Sequence, residues 1–246
     1  MSAEFVQQQF TAPEKHNLWP QAKLHTQWPG TGVIGDPYFD AYFASIVPSL
    51  ASDVQQQTTL KAAGTALLER IGEPAILVAH SQGGVMPWLI ADAQPELARA
   101  IISIEPAAPP FQNAGAFGNG SARKYGLTDI PLAYNPPLDS PEDDLVKETI
   151  PAPNSLKTAC ILQAKDPAPR QLINLQNIPV LLVTAEASYH APYDYCVANF
   201  LDQAGVNVTH LELGERGIRG NGHLLFLEKN SDEIAEVLEE WASSIQ

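Results

Sequence analysis

The pentapeptide Ala79-His80-Ser81-Gln82-Gly83 sets a serine hydroxyl between small residues at the two flanking positions where a sharp turn leaves little room for side chains. Before it runs the apolar segment Pro74-Ala75-Ile76-Leu77-Val78, and after it a helix-like stretch from Gly84 to Ala93. Strand, tight turn and helix in that order read as a nucleophile elbow, which presents a serine on strained backbone. Alanine at the first flanking position, where glycine is usual, adds one methyl of crowding. A serine hydroxyl attacks poorly until a histidine takes its proton, and that histidine must be oriented by a carboxylate. The chemistry this points to is acyl transfer, with a histidine and an acid still to be found.

The chain offers six histidines. His223 ends Gly217-Ile218-Arg219-Gly220-Asn221-Gly222-His223, a glycine-rich turn between the last strand-like run and the final helix, and loops at strand ends carry function disproportionately. His16 and His25 lie in a loop-rich start, and His210 has strand context, so packing or surface roles suit these three. His80, inside the elbow, is expected to point away from the neighbouring hydroxyl and to serve structure. His190, in Glu186-Ala187-Ser188-Tyr189-His190-Ala191-Pro192, follows a strand end and is a candidate for the pocket lining. Three residues compete as the acid. Glu186 and Asp194 follow the strand two after the nucleophile. Glu105 stands in Ile104-Glu105-Pro106, where an apolar run ends in a carboxylate at the sheet edge that such folds use for ligands.

The elements that must position these groups fall into three parts. Residues 1 to 52 are rich in Gln, Pro and aromatics, with turn signals at Trp19-Pro20, Trp28-Pro29-Gly30 and Gly35-Asp36-Pro37, and predict short helices and loops without a strand. Residues 53 to 107 alternate: a helix from Asp53 to Ile71 with Leu60, Ala63, Leu67 and Leu68 at helical spacing, the strand into Ser81, its helix, and the strand Ala100-Ile101-Ile102-Ser103-Ile104. From Pro106 to about Ile173 prolines are dense and an acidic run, Glu142-Asp143-Asp144, interrupts, which reads as an inserted cap. Alternation then returns with a strand over 178–184, a helix over 192–204, a strand over 206–213 and a helix over 232–241. Strands alternating with helices imply an α/β fold with a parallel sheet. The expected unit is one domain spanning 1–246 with the cap at about 106–173.

Composition limits the partners. The chain has 246 residues, 45% of them hydrophobic, which is enough for a full core. Its 14 basic and 28 acidic residues leave a net charge of -14, so phosphate backbones and anionic headgroups are repelled, and neither nucleic acid nor a membrane surface is an expected partner. No apolar stretch is long enough to span a bilayer, and Met1 to Gln7 lacks the pattern of a signal peptide, so the sequence as written reads as soluble and cytoplasmic. Cys160 and Cys196 fit neither a zinc spacing nor a redox pair, and are expected as buried free thiols unless the chain meets an oxidising compartment. No phosphate-binding glycine loop or metal cluster occurs, so no cofactor and no metal are implied. Tyr189, Trp88 and Phe111 are candidate pocket walls beside His190.

Taken together, Val78-Ala79-His80-Ser81-Gln82-Gly83-Gly84, Ile104-Glu105-Pro106, Tyr125-Gly126-Leu127-Thr128-Asp129-Ile130-Pro131, Glu186 to His190 and Gly220-Asn221-Gly222-His223 resemble a fungal and bacterial esterase-like branch of the alpha/beta hydrolase superfamily. The matching segments run from about Phe10 to the C-terminal helix. In that branch the acid follows the strand immediately after the nucleophile, so the resemblance implies a triad of Ser81, His223 and Glu105. It implies an alpha/beta-hydrolase fold, a mostly parallel sheet with flanking helices and an inserted cap. The implied activity is hydrolysis of a small-molecule carboxylic ester or lactone through an acyl-enzyme on Ser81, rising with pH through the titration of the histidine near pH 6 to 7.

The resemblance also sets a difficulty. The oxyanion hole of this superfamily needs two backbone donors, the amide of the residue after the nucleophile, here Gln82, and one from a loop after an earlier strand. Nothing upstream of Pro74 reads as a buried strand, and no His-Gly-Gly-like loop occurs. The chain reads as starting after the fourth strand of the fold, which would leave the nucleophile strand as a sheet edge. Either the N-terminal segment covers that edge, or a second chain does in a homo-oligomer, or the sequence is a shortened product of a longer gene. In the last case a lost signal peptide would reopen secretion and a Cys160-Cys196 disulfide. The alternative functions are a catalytically impaired relative that binds a ligand or partner, and a non-hydrolytic enzyme of small-molecule biosynthesis on the same fold.

Overall fold

The computed structural model describes residues 1–245. Its first part contains a short helix α1 (Ala3–Val6) that runs directly into a wider helical turn, Gln7–Thr11, and a helix α2 (Pro37–Ser45) capped by the Asp36 carboxylate. Helix α3 (Asp53–Ile71) has the predicted limits: the Ser52 hydroxyl accepts from the amide of Gln55, and Gly72 closes it with φ +74°, a conformation that favours glycine. Strand β1 (Ala75–His80) follows, then a tight helical turn over Ser81–Val85 and helix α4 (Met86–Ala93). Strand β2 (Ala98–Ile104) is followed by the segment expected as an insertion, which carries β3 (Tyr134–Asn135), α5 (Pro141–Asp144), β4 (Lys147–Ile150), β5 (Cys160–Gln163) and β6 (Gln171–Leu172). Strand β7 (Val180–Thr184), helix α6 (Asp194–Gln203), strand β8 (Val208–Glu212) and helix α7 (Ser231–Ser244) complete the chain.

The main sheet has four strands in the order β1-β2-β7-β8, every pair parallel. Parallel strands are joined by crossovers, and helices therefore cover both faces. Side chains alternate between them. Ile101, Val180 and Leu182 point into a large cluster with Trp88 and Leu89 of α4 and Val197, Phe200 and Leu201 of α6. Ile102, Ile104, Leu181 and Val183 point the other way, toward Ile234, Val237, Leu238 and Trp241 of α7. The insertion forms two small antiparallel ladders of its own, β3 with β6 and β4 with β5.

Among the described residues no strand precedes β1, so β1 is an edge and Val78 is 60% exposed. The N-terminal residues do not cover it. They cross instead to the other end of the sheet, where the amides of Thr26 and Gln27 donate to the carbonyl of Gly220 and Trp19 Nε1 donates to the carbonyl of Ala187. Helix α3 is open on the same side. Only Leu68 of its apolar stripe is buried, while Leu60 and Leu67 remain exposed, because no layer lies outside β1 to receive them. Where α3 meets α4 the fit is close: a Cβ at Gly64 would lie 2.3 Å from Ile90 Cδ1.

A correction concerns the cysteines. Cys160 on β5 and Cys196 on α6 are not free thiols but are joined in a disulfide, with their Cα atoms 5.4 Å apart. The bond fastens the insertion to the helix that follows β7. No helix among the described residues is long and apolar enough to cross a membrane.

Candidate active site

Ser81 sits directly after β1 at φ +55°, in the left-handed region that residues with a side chain rarely adopt. The strain has a local cause. The backbone reverses from extended at His80 into a helical turn at Ser81, and the amide of Ala107 donates back to the Ser81 carbonyl at 2.9 Å. Crowding falls on a different glycine from the one the pentapeptide pattern implies. A Cβ at Gly83 would meet nothing within 4 Å, whereas one at Gly84 would lie 2.7 Å from Pro106 Cα.

His223 Nε2 accepts the hydroxyl hydrogen of Ser81 at 2.7 Å, across 142 residues of sequence. Its Nδ1 donates to Glu105 Oε2 at 2.5 Å. Glu105, also at positive φ (+45°), is fully buried at the end of β2. Its other hydrogen bonds come from the amide of Ala185 to Oε1 (2.8 Å) and the Ser188 hydroxyl to Oε2 (2.7 Å). Burial raises the Glu105 carboxyl above its ordinary range, and the charge of His190 and these donors, which favour the carboxylate form, oppose it only in part. Burial pushes His223 well below the ordinary histidine range, and the charge of nearby His190 adds to this. The expected rise in activity is therefore displaced to lower pH than 6 to 7.

The other acid candidates are engaged elsewhere. Glu186 binds Arg219 Nη1 and the amide of Gly220 at 2.8 and 2.9 Å. Asp194 pairs with His190 Nδ1 at 2.8 Å and accepts from Thr184 Oγ1, which also contacts His210 Nε2. His80 turns away from Ser81 and donates from Nε2 to the His223 carbonyl at 2.9 Å, its ring 4.4 Å from that of His223. Ligand-type atoms of His80, Glu105 and His223 gather within 4.8 Å. His80 Nε2 and both nitrogens of His223 are already engaged in hydrogen bonds.

Ser81 opens into a cavity of about 310 Å³ whose walls include Gln82, Phe10, Phe117, Arg123 and Tyr189. Of the four residues expected at the pocket wall, Tyr189 lines this cavity. Trp88 and Phe111 do not: both are buried in the core, Trp88 with no exposed surface and Phe111 against Phe200. His190 also lies behind the cavity, fully buried, its ring stacked on His223. Aromatic residues at helical or strand spacing fill cores as readily as pockets, which is why the pattern did not separate them. Ser188 and Phe10 escaped notice. Ser188 lies in the loop 186–190 already singled out, but nothing in a lone serine marks it as the support of a carboxylate; the ring of Phe10 packs 5.3 Å from that of His223.

A sequence model described as the alpha/beta hydrolase family matches residues 22–237. The chain is 50% identical over 226 residues to "Probable secreted lipase phiG" of Fungal sp. (strain ATCC 74256), an alignment that covers 92% of this chain and 61% of that protein. The chain thus spans 61% of the length of that curated relative. Among solved structures, a novel bacterial esterase is similar at 17% identity and a TM-score of 0.48, over 84% of this chain and 49% of the other. Paleococcus ferrophilus monoacylglycerol lipase is similar at 18% identity and a TM-score of 0.43, over 77% of this chain and 76% of the other.

Proposed function

The chain belongs to the alpha/beta hydrolase family, and from that premise we propose that it is a serine hydrolase cleaving a carboxylic ester or lactone through an acyl-enzyme on Ser81. The observation that carries the reading is the unbroken line of hydrogen bonds from Glu105 through His223 to a strained serine facing a cavity. His223 Nε2 takes the proton of Ser81 as Oγ bonds to the acyl carbon, and Glu105 stabilises the imidazolium that forms. The amide of Gln82 donates to the carbonyl oxygen as it becomes negative. The imidazolium then protonates the departing alcohol, and a water activated by the same nitrogen releases the acid. Tyr189, Phe10 and Phe117 give the acyl or alcohol group an apolar wall.

Two features support action outside the cytoplasm: the Cys160-Cys196 disulfide, a bond that persists in oxidising compartments, and the word "secreted" in the name of the fungal relative. A second reading, a binding protein with an impaired site, draws on the edge position of β1, since no strand among the described residues brings a second backbone oxyanion donor. The same uncovered edge favours self-association. Assay of the purified chain against neutral esters of graded acyl length separates the readings. Hydrolysis abolished by Ser81→Ala supports the hydrolase, and ligand binding without turnover supports the alternative.

A further inference from the structure

Among the described residues, the hydroxyl of Tyr189 has no hydrogen-bond partner other than Ser81 and His223. The residue lies in the loop after β7, 7% exposed, with its ring packed by Phe10 at 5.9 Å, Trp19 at 6.1 Å, Phe117 at 6.0 Å and Tyr193 at 6.4 Å, centroid to centroid. A phenylalanine would make every one of these contacts. The oxygen instead stands 3.4 Å from His223 Nε2 and within hydrogen-bonding reach of Ser81, at the wall of the cavity. A buried hydroxyl normally finds a partner that satisfies it permanently. Here it faces the two atoms between which a proton moves. Burial holds the phenol well above its ordinary range, so it stays a neutral O–H donor at any working pH.

We propose that the Tyr189 hydroxyl is a catalytic hydrogen-bond donor to the oxygen that leaves the acyl carbon, and that the substrates are esters of aliphatic alcohols, whose departing oxygen needs such help. The proposal rests on the reading of Ser81 as nucleophile. To receive the proton from His223, the leaving oxygen must come within about 3 Å of Nε2, and a donor 3.4 Å from that nitrogen can reach the same oxygen. The Gln82 amide, which follows Ser81 along the chain, serves the carbonyl oxygen, so the two donors divide the two oxygens of the ester. In acylation the Oγ–C bond forms and the Ser81 proton passes to Nε2; the C–O bond to the alcohol then breaks and that proton goes to the departing oxygen. Tyr189 keeps its own proton throughout and lowers the charge on that oxygen through a hydrogen bond. In deacylation the attacking water occupies the place the alcohol has left. An aliphatic alkoxide is a strong base and leaves badly without donors, whereas nitrophenolate leaves almost unaided.

The test is Tyr189→Phe, which keeps the ring, assayed by kcat/KM on esters of one acyl group with alcohols graded from ethanol to p-nitrophenol. The expected result is a loss of about 10²-fold on the ethyl ester that shrinks to within about threefold on the p-nitrophenyl ester, as nitrophenolate needs no donor. Equal losses along the series would make Tyr189 a packing residue and overturn the proposal. No loss on any member would also overturn it. Retained labelling of Ser81 by a fluorophosphonate in Tyr189→Phe, together with either of those results, leaves the serine hydrolase reading standing. If the unaltered chain hydrolyses no ester in the series and takes no label, both fall together.

Discussion

The imidazole of His190 lies parallel to that of His223, with 1° between their planes and 5.0 Å between their centres, and Asp194 holds its Nδ1 at 2.8 Å. Burial alone would lower His190, but Asp194 outweighs it and raises the group, which favours the charged imidazolium beside the base. His223 is lowered by burial first and by that charge second. A base works when neutral, so lowering its pKa extends activity toward acid. The acid limb of kcat/KM is predicted below pH 6.5, the ordinary histidine value, with a plateau through neutrality. His190→Gln removes the neighbouring charge and moves that limb to higher pH; an unmoved limb would show that the stacked ring does not tune the base.

Glu105→Gln tests the acid. The amide preserves size while losing the charge that stabilises the imidazolium, and the expected loss in kcat is on the order of 10³ to 10⁴-fold. Steady-state assay beside a thermal unfolding curve separates this from loss of fold. A loss under tenfold in a folded variant would mean that Glu105 does not serve His223.

The disulfide closes a loop with a sequence separation of 36 residues. Chain-entropy arguments give such a cross-link about 3 to 4 kcal/mol of stability. Urea unfolding with and without dithiothreitol is expected to show the reduced protein less stable by that order. Coincident curves would mean that the insertion is held by its packing alone.

The regular elements were legible because they rest on short-range pattern. The run from Ala100 to Ile104 is apolar on both faces because helices cover both sides of β2, and the limits of α3 are written in Ser52 and Gly72. Ser81 and His223 stand out because one sits in a strand-turn-helix elbow and the other in a glycine-rich turn, whereas the choice of Glu105 over Glu186 and Asp194 came from the family resemblance and not from local pattern. What failed needed knowledge of neighbours. Helical spacing placed Leu60 and Leu67 on one stripe but could not say that both stay exposed, and the pentapeptide pattern could not say that the close contact falls on Gly84 rather than Gly83. The roles of Trp88 and Phe111 turned on which side of a wall they face. His25 was read as a loop residue, yet Glu14 and Glu228 hold its two ring nitrogens at 2.9 and 2.8 Å, the second across 203 residues that no local window spans.

That clasp carries its own pH dependence. Burial pushes His25 down, but the hydrogen bonds to Glu14 and Glu228 outweigh it and hold the group up at about 9. A pKa raised above its unfolded value stabilises the fold fully below about pH 6.5 and ceases to do so as pH rises through about 9. Unfolding free energy is predicted to fall between pH 6.5 and 9.5, and His25→Gln to flatten the slope. An equal slope in the variant would place the titrating group elsewhere.

The most direct test of the account is covalent labelling of the folded chain with a fluorophosphonate, with the adduct located by peptide mass spectrometry. The predicted result is a single modified residue, Ser81, with labelling slowed by about 10⁴-fold or more in His223→Ala. A folded protein that takes no label at Ser81, or takes it equally fast without His223, would contradict an activated serine in this site.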